Sequence, residues 1–156
     1  MDSTTRITRE CTINELNPIL RDAMRAHIAQ YHLGPIEDDI LMCCETTSIR
    51  QKTGLFGGTE ESISAAFVTP QWLVWADSIK RNAASIGAGQ LKQINIRDYE
   101  KTAMQAVIPD MGINVTGRYT DVNKTGAVFI GLGPQADGKK FIQILEEAIK
   151  KATTYH

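Results

Sequence analysis

The chain has 156 residues, 42% of them hydrophobic and 22% charged, with 17 basic and 18 acidic side chains and a net charge of −1. That length suits one domain, which buries roughly 70% of its unfolded surface and needs no metal or disulfide to hold a core. The near-neutral balance gives no global field for nucleic acid or an anionic membrane, so nucleic-acid binding is not expected.

The opening "MDSTTRITRE" is polar and lacks the apolar centre of a signal peptide. Apolar runs such as "ILMCC" and "WLVWA" are far too short to span a bilayer, so no transmembrane segment is expected. Three cysteines, Cys11, Cys43 and Cys44, form an odd set with an adjacent pair. This does not suggest a disulfide framework, and a reduced, cytoplasmic chain is the simplest expectation.

"CTINELNPILRDAMRAHIAQYHLGP" predicts a helix. Asn17 can cap it, Pro18 suits its first position, and Thr12 with Glu15 offers an earlier one-turn start. Leu20, Ala23, Met24 and Ile28 form its stripe, and Gly34-Pro35 stops it. From Asp39 the pattern becomes that of strands: "ILMCCETTSIRQK", the turn "TGLFGGTEE", then "SISAAFVT", a reversal at Pro70 and "WLVWADS". "ASIGAGQLKQINIRDYE" reads as one interrupted or two short strands, broken near Gly87 and Gly89. "GINVTGRYT" and "GAVFIGLG" predict a further hairpin. The tail is helical again, with Phe141, Leu145, Ala148, Ile149 and Ala152 on one face and Asp137 as its N-cap.

Strands in succession imply antiparallel pairing. The expected fold is mainly β (α+β): a small antiparallel barrel of six or seven strands capped by the C-terminal helix, with an N-terminal helical extension. The extension takes residues 1–38 and the barrel 39–156. Its core is expected to draw on Ile63 or the alternates on the Ser64 side, Phe67, Val74, Ile94, Ile96, Val128 and Ile130, with Leu145 and Ile149 from the cap. The N-terminal helix is expected outside the sheet or on a second subunit.

"AAFVTPQWLVWAD" resembles the strand-turn-strand of bacterial pleckstrin-homology-like domains. "LKQINIRDYE" resembles their following element, and "GAVFIGLG" with "FIQILEEAIKKA" resembles the last strand and capping helix. The resemblance spans roughly Ile40 to Ala152 and rests on structural motifs; Trp72 stands where many relatives carry arginine. Alternation sets Trp72 and Val74 on one face and Leu73 and Trp75 on the other, so only one tryptophan should be deeply buried.

No catalytic constellation is legible. His27 and His32 are badly spaced for a shared metal, His156 is remote, and no serine or cysteine has an evident activating partner. Asp98, Glu100 and Asp110 are scattered carboxylates. Gly131, Gly133 and Gly138 imitate a dinucleotide loop, but the spacing is wrong and too little chain follows for a βαβ unit. A tight strand-to-helix corner fits them better. No enzyme activity, cofactor or metal is therefore expected.

The strongest binding signal is "IRQKTGLFGG", where Arg50 and Lys52 share a strand face before a glycine-rich tip carrying Leu55 and Phe56. The pleckstrin-homology resemblance implies a weak anion site of Arg50, Lys52, Lys80 and Arg81, with Leu55 and Phe56 at a membrane interface. Glu60 and Glu61 follow at once, however, and the competing expectation is a solvated edge with Leu55 and Phe56 folded back over the barrel. The function expected from this balance is non-enzymatic protein interaction or homo-oligomeric assembly, through strand addition or an apolar patch. The alternative is a peripheral module binding anionic lipid weakly through the first hairpin.

Overall fold

The computed structural model describes residues 3–79, 83–101, 110–120 and 125–154. Five antiparallel strands lie in sequence order in the first sheet: β1 (Ser3–Glu10), β2 (Met42–Gln51), β3 (Thr59–Val68), β4 (Trp72–Ile79) and β5 (Ala83–Gln90). The second sheet holds β6 (Ile94–Asp98), β7 (Gly112–Arg118) and β8 (Thr125–Gly131), also antiparallel. Helix α1 (Pro18–Gln30) follows β1, and α2 (Ala136–Thr154) ends the described chain.

The expected barrel of six or seven strands is therefore corrected: the described residues form eight strands in two sheets, and among them no closed barrel is seen. The extra strand is β1, paired with β2 from Ser3↔Gln51 to Glu10↔Cys44. "STTRITRE" lacks apolar alternation because its inward residues are polar. Thr8 Oγ1 bonds Thr46 Oγ1 at 2.7 Å and accepts from Gly133 N at 2.8 Å. Side chains, not strand pairing, fill the space between β1 and the end of β8. Gln135 Oε1 accepts from Thr8 N at 2.9 Å, its Nε2 donates to Arg6 O at 3.2 Å, and Asp137 Oδ2 accepts from Glu10 N at 2.8 Å. Residues 1–38 thus hold an edge strand as well as the expected helix.

The first sheet is covered on both faces, so there are two cores. One face carries Met42, Ala66, Val68, Leu73 and Trp75 against the second sheet and α2, which buries Phe141, Leu145 and Ala148. The other carries Cys43, Ala65, Phe67, Val74 and Ala88 under α1, which buries Leu20, Met24 and Ile28. Phe67 and Val74, expected beside Leu145, belong to this outer core. Period-two alternation puts them opposite Val68 and Leu73. Burial on both faces also explains why "AAFV" and "WLV" run apolar without alternation. Of the other expected positions, Ile94 and Ile130 join the inner core, Ile96, Val128 and Ile149 pack partly buried against it, and Ile63 borders the outer one.

The tryptophans divide as alternation requires. Trp75 is 7% exposed in the inner core, edge-on to Tyr119 with ring centroids 5.0 Å apart, and Trp72 is half-buried on the α1 side. Gly87 lies opposite Trp75 in register, and a Cβ there would strike the Trp75 indole. Gly87→Ala is therefore expected to cost about 1–3 kcal/mol through overpacking. Denaturant unfolding checks this, and an unchanged midpoint would show that the indole has room to move.

Local signals decide the helix ends. Asn17 Oδ1 accepts from Ile19 N at 2.9 Å, while the Thr12–Glu15 start is a separate 3-10 turn, with Glu15 Oε1 accepting from Thr12 N at 3.0 Å. Positive φ at His32 and Gly34 reverses the chain after α1. Two expectations are corrected. Asp137 lies inside the first turn of α2, bonded to β1, and the break between β5 and β6 falls at a turn over Leu91–Gln93 rather than at Gly87 or Gly89.

Candidate functional site

Hairpin β2–β3 has β1 beside β2 as far as Ser3↔Gln51. Its strands pair as far as Gln51↔Thr59, three residue pairs beyond Ser62, the last residue of β3 with a described partner on β4. Lys52 N donates to Gly58 O at 2.8 Å, and Gly57 N to Gly54 O at 3.0 Å, closing the turn around Gly54 at φ +121°. Leu55 and Phe56 sit at its apex, each 96% exposed. The expectation that they fold back over the barrel is corrected, because both side chains stand almost fully in solvent.

The polar residues of the hairpin largely answer one another. Lys52 Nζ lies 3.1 Å from Glu60 Oε2, and Glu60 is the register partner of Arg50. Two basic residues, Arg50 and Lys52, are matched by two acidic ones, Glu60 and Glu61, so the end of the hairpin from Arg50 to Glu61 carries no net charge. Lys80 and Arg81 lie outside the described residues; the strand ends that flank them, Ile79 and Ala83, pair beside Ser62 at this end of the sheet.

Between the sheets opens a cavity of about 180 Å³, lined by Arg6, Ser48, Ser62, Ser64, Asp77 and Ser85 along with Trp75 and Phe129. Arg6 anchors it. Its Nε and Nη2 donate to Asp110 Oδ1 and Oδ2, both at 2.8 Å, its Nη1 donates to Ser48 Oγ at 2.7 Å, and its guanidinium lies 5.5 Å from the Phe129 ring centre. A fork-on-fork pair of this kind satisfies both partners. Burial raises the Asp77 carboxyl above the ordinary carboxylate range, against a hydrogen bond with the Ser85 backbone. None of the groups described in the cavity pairs a nucleophile with a base.

A second opening of about 440 Å³ lies at the other end of the molecule, lined by Pro70, Gln71, Trp72, Gln90, Lys92, Lys151 and Ala152. Its wall is the "TPQW" turn, where Thr69 Oγ1 accepts from Trp72 N at 2.9 Å and Gln71 N at 3.2 Å. The sequence marks Trp72, but Lys92 and Lys151 join it only through folding.

The remaining candidates have structural surroundings. His27 is buried with Nε2 2.6 Å from Thr120 Oγ1 and its ring against Tyr31, so it ties α1 to the end of β7. Asp110 is engaged by Arg6, Asp98 lies on β6, and the side chain of Glu100 and all of His156 fall outside the described residues. Among the described residues no group of three His, Cys, Asp or Glu side chains is placed to hold a metal. A Cβ on Gly138 would strike the Gly133 carbonyl oxygen, as a tight strand-to-helix corner requires. No described helix is long and apolar enough to cross a membrane.

Sequence reasoning missed Arg6 and Gln135, and it named Asp110 only as a scattered carboxylate, not as the partner of Arg6. The one signal available was Thr4, Arg6 and Thr8 alternating in "TTRIT", which fits a strand with a polar inner face. Comparison with family models, curated proteins and solved structures returns no match to this chain.

Proposed function

We propose that the protein is a non-enzymatic pleckstrin-homology-like domain working by protein interaction, with homo-oligomeric assembly as its simplest form. The observation that carries this reading is the charge-balanced end of the hairpin, Arg50 to Glu61, with Leu55 and Phe56 fully presented at its apex. Apolar side chains on an exposed turn gain free energy by being covered, and a hairpin end without net charge has little to offer an anionic surface. Once β1 is set aside, β2–β8 are seven antiparallel strands followed by a helix, the order the family resemblance implies.

A second copy is a suitable partner because the complementary apolar residues lie on the same hairpin and its neighbour. Ile7 and Ile49, 54% and 38% exposed, sit on the α1 side of β1 and β2, where α1 does not reach. A two-fold pairing would let each apex cover those residues on the other subunit. Strand addition along β1 is disfavoured, because Gln135 and Asp137 already occupy its outward backbone groups from Arg6 to Glu10.

Sedimentation equilibrium tests this. Wild-type protein should self-associate with little salt dependence, and Leu55→Ser with Phe56→Ser should weaken association roughly a hundred-fold or more, from the loss of about 3–5 kcal/mol of apolar burial. A wild-type chain monomeric up to about 1 mM, a bound of only about 4 kcal/mol on association, would refute self-assembly. Salt-sensitive cosedimentation with anionic vesicles, lost in the same double variant, would favour the lipid alternative through Arg50 and Lys52.

A further inference from the structure

Cys11 follows β1, and Cys43 stands second in β2. The strand register sets Glu10 opposite Cys44, and the Cys11 amide donates to the Cys43 carbonyl at 3.0 Å, so the pairing continues one step and opposes the two cysteines. That amide bond marks a hydrogen-bonded pair, whose Cβ atoms lie toward the wide end of the roughly 4.5–5.5 Å range for opposed residues, so an approach of about 1 Å brings them to the roughly 3.5–4.5 Å of a disulfide. Each thiol is the largest influence on the other's acidity. Cys11 is partly exposed, whereas Cys43 is buried beneath it. Cys44 points to the opposite face, into the inner core, away from both.

We propose that Cys11 and Cys43 form a reversible oxidation site, in which Cys11 reacts with a hydroperoxide and Cys43 resolves the product as an intramolecular disulfide. The Cys11 thiolate attacks one oxygen of hydrogen peroxide; the O–O bond breaks, Cys11 becomes a sulfenic acid, and hydroxide leaves. Cys43 sulfur then displaces the hydroxyl from Cys11 sulfur, forming the S–S bond. The Cys43 proton and the departing oxygen end as water, so two thiols and one peroxide give one disulfide and two waters.

The surroundings divide the two roles. The hydrogen bond from Cys43 holds the Cys11 thiol below its ordinary pKa range, burial opposes this, and the nearby Arg9 guanidinium adds to the lowering. Glu45 and Glu15 also act on Cys11 and raise it, but Arg9 Nη2 is itself paired with Glu45 Oε1 at 3.1 Å. Cys43 is pushed up by donating to Cys11 and by burial, and burial pushes Cys44 up to about 12. Only Cys11 therefore combines access with thiolate character. The disulfide would close the chain from 11 to 43 into a loop containing all of α1, fastening the helical layer to β2.

The test treats the full chain with hydrogen peroxide, blocks remaining thiols with an alkylating agent and maps the peptides by mass. The expected result is a loss of about 2 Da, one alkylated thiol at Cys44, and a Cys11–Cys43 crosslinked peptide that a dithiol reductant reverses. The oxidised form should melt roughly 6–12 °C higher, since the bond restrains a long loop of the unfolded chain. Cys44→Ser should behave as wild type, Cys11→Ser should form no intramolecular disulfide, and Cys43→Ser should stop at a dimedone-reactive sulfenic acid on Cys11. A wild-type map with no intramolecular bond, a bond to Cys44, or only intermolecular dimers would overturn the proposal, whether or not a variant fails to fold.

Discussion

Phe141→Ala is expected to lower stability by about 3–5 kcal/mol, a large share of the roughly 5–15 kcal/mol available to a domain of this kind. Phe141 is fully buried, as is Leu145 one turn later, and both face Met42, Val68 and Leu73 of the first sheet together with Ile113 and Val115 of the second. α2 packs against the turn at Leu91–Gln93 and against β1, β2 and β3 of the first sheet. Removal of the ring leaves a cavity that no single strand can collapse into, because the walls come from three separate elements. Ile149→Ala, at a partly buried position on the same stripe, should cost only about 1–2 kcal/mol, so the two substitutions grade the depth of the helix face. A chain ending at Gly138 should aggregate, since the inner face would lie open. Denaturant titration of the point variants gives the comparison. Equal and small losses at both positions would mean that α2 rests on the surface rather than in the core.

α2 and the strands after Ile40 were legible because their apolar residues follow the period of the element that bears them. Phe141, Leu145 and Ala148 advance by three and four, and "WLVWA" is bounded by a proline turn and polar residues. What the period could not say was which side of the sheet faces which layer. Phe67 and Val74 look like natural companions of Leu145, and only the presence of α1 on the far side of the sheet assigns them elsewhere. β1 failed for a different reason. Its inward residues, Arg6 and Thr8, are satisfied by polar partners 38 to 125 residues away, so nothing local distinguishes it from a solvated tail. The hairpin was legible as a hairpin, from "TGLFGG" alone. The exposure of Leu55 and Phe56 was not, because it depends on what the fold brings beside the turn.

Arg6→Met should cost about 2–4 kcal/mol, almost entirely through the carboxylate and hydroxyl left behind. Arg6 and Asp110 are both largely buried and joined by two bonds of 2.8 Å, while Ser48 takes a third from the same guanidinium. The pair spans the first sheet and the segment entering β7, on the side where β1 and β8 exchange no strand pairing. It therefore stands in for a missing ladder. A double-mutant cycle with Asp110→Asn should give a coupling of about 1–3 kcal/mol, which 1 M salt should not erase. The amides of Thr8 and Glu10, held by Gln135 and Asp137 at the same seam, should exchange hydrogen faster in Arg6→Met while those of β3 and β4 keep their protection. A coupling below about 0.5 kcal/mol would place Arg6 and Asp110 among ordinary solvated surface pairs. The seam would then be held by the bonds of Gly133, Gln135 and Asp137 to β1, with the sheets joined through them, through the Thr120 amide on the Ala88 carbonyl and through the turn between β5 and β6.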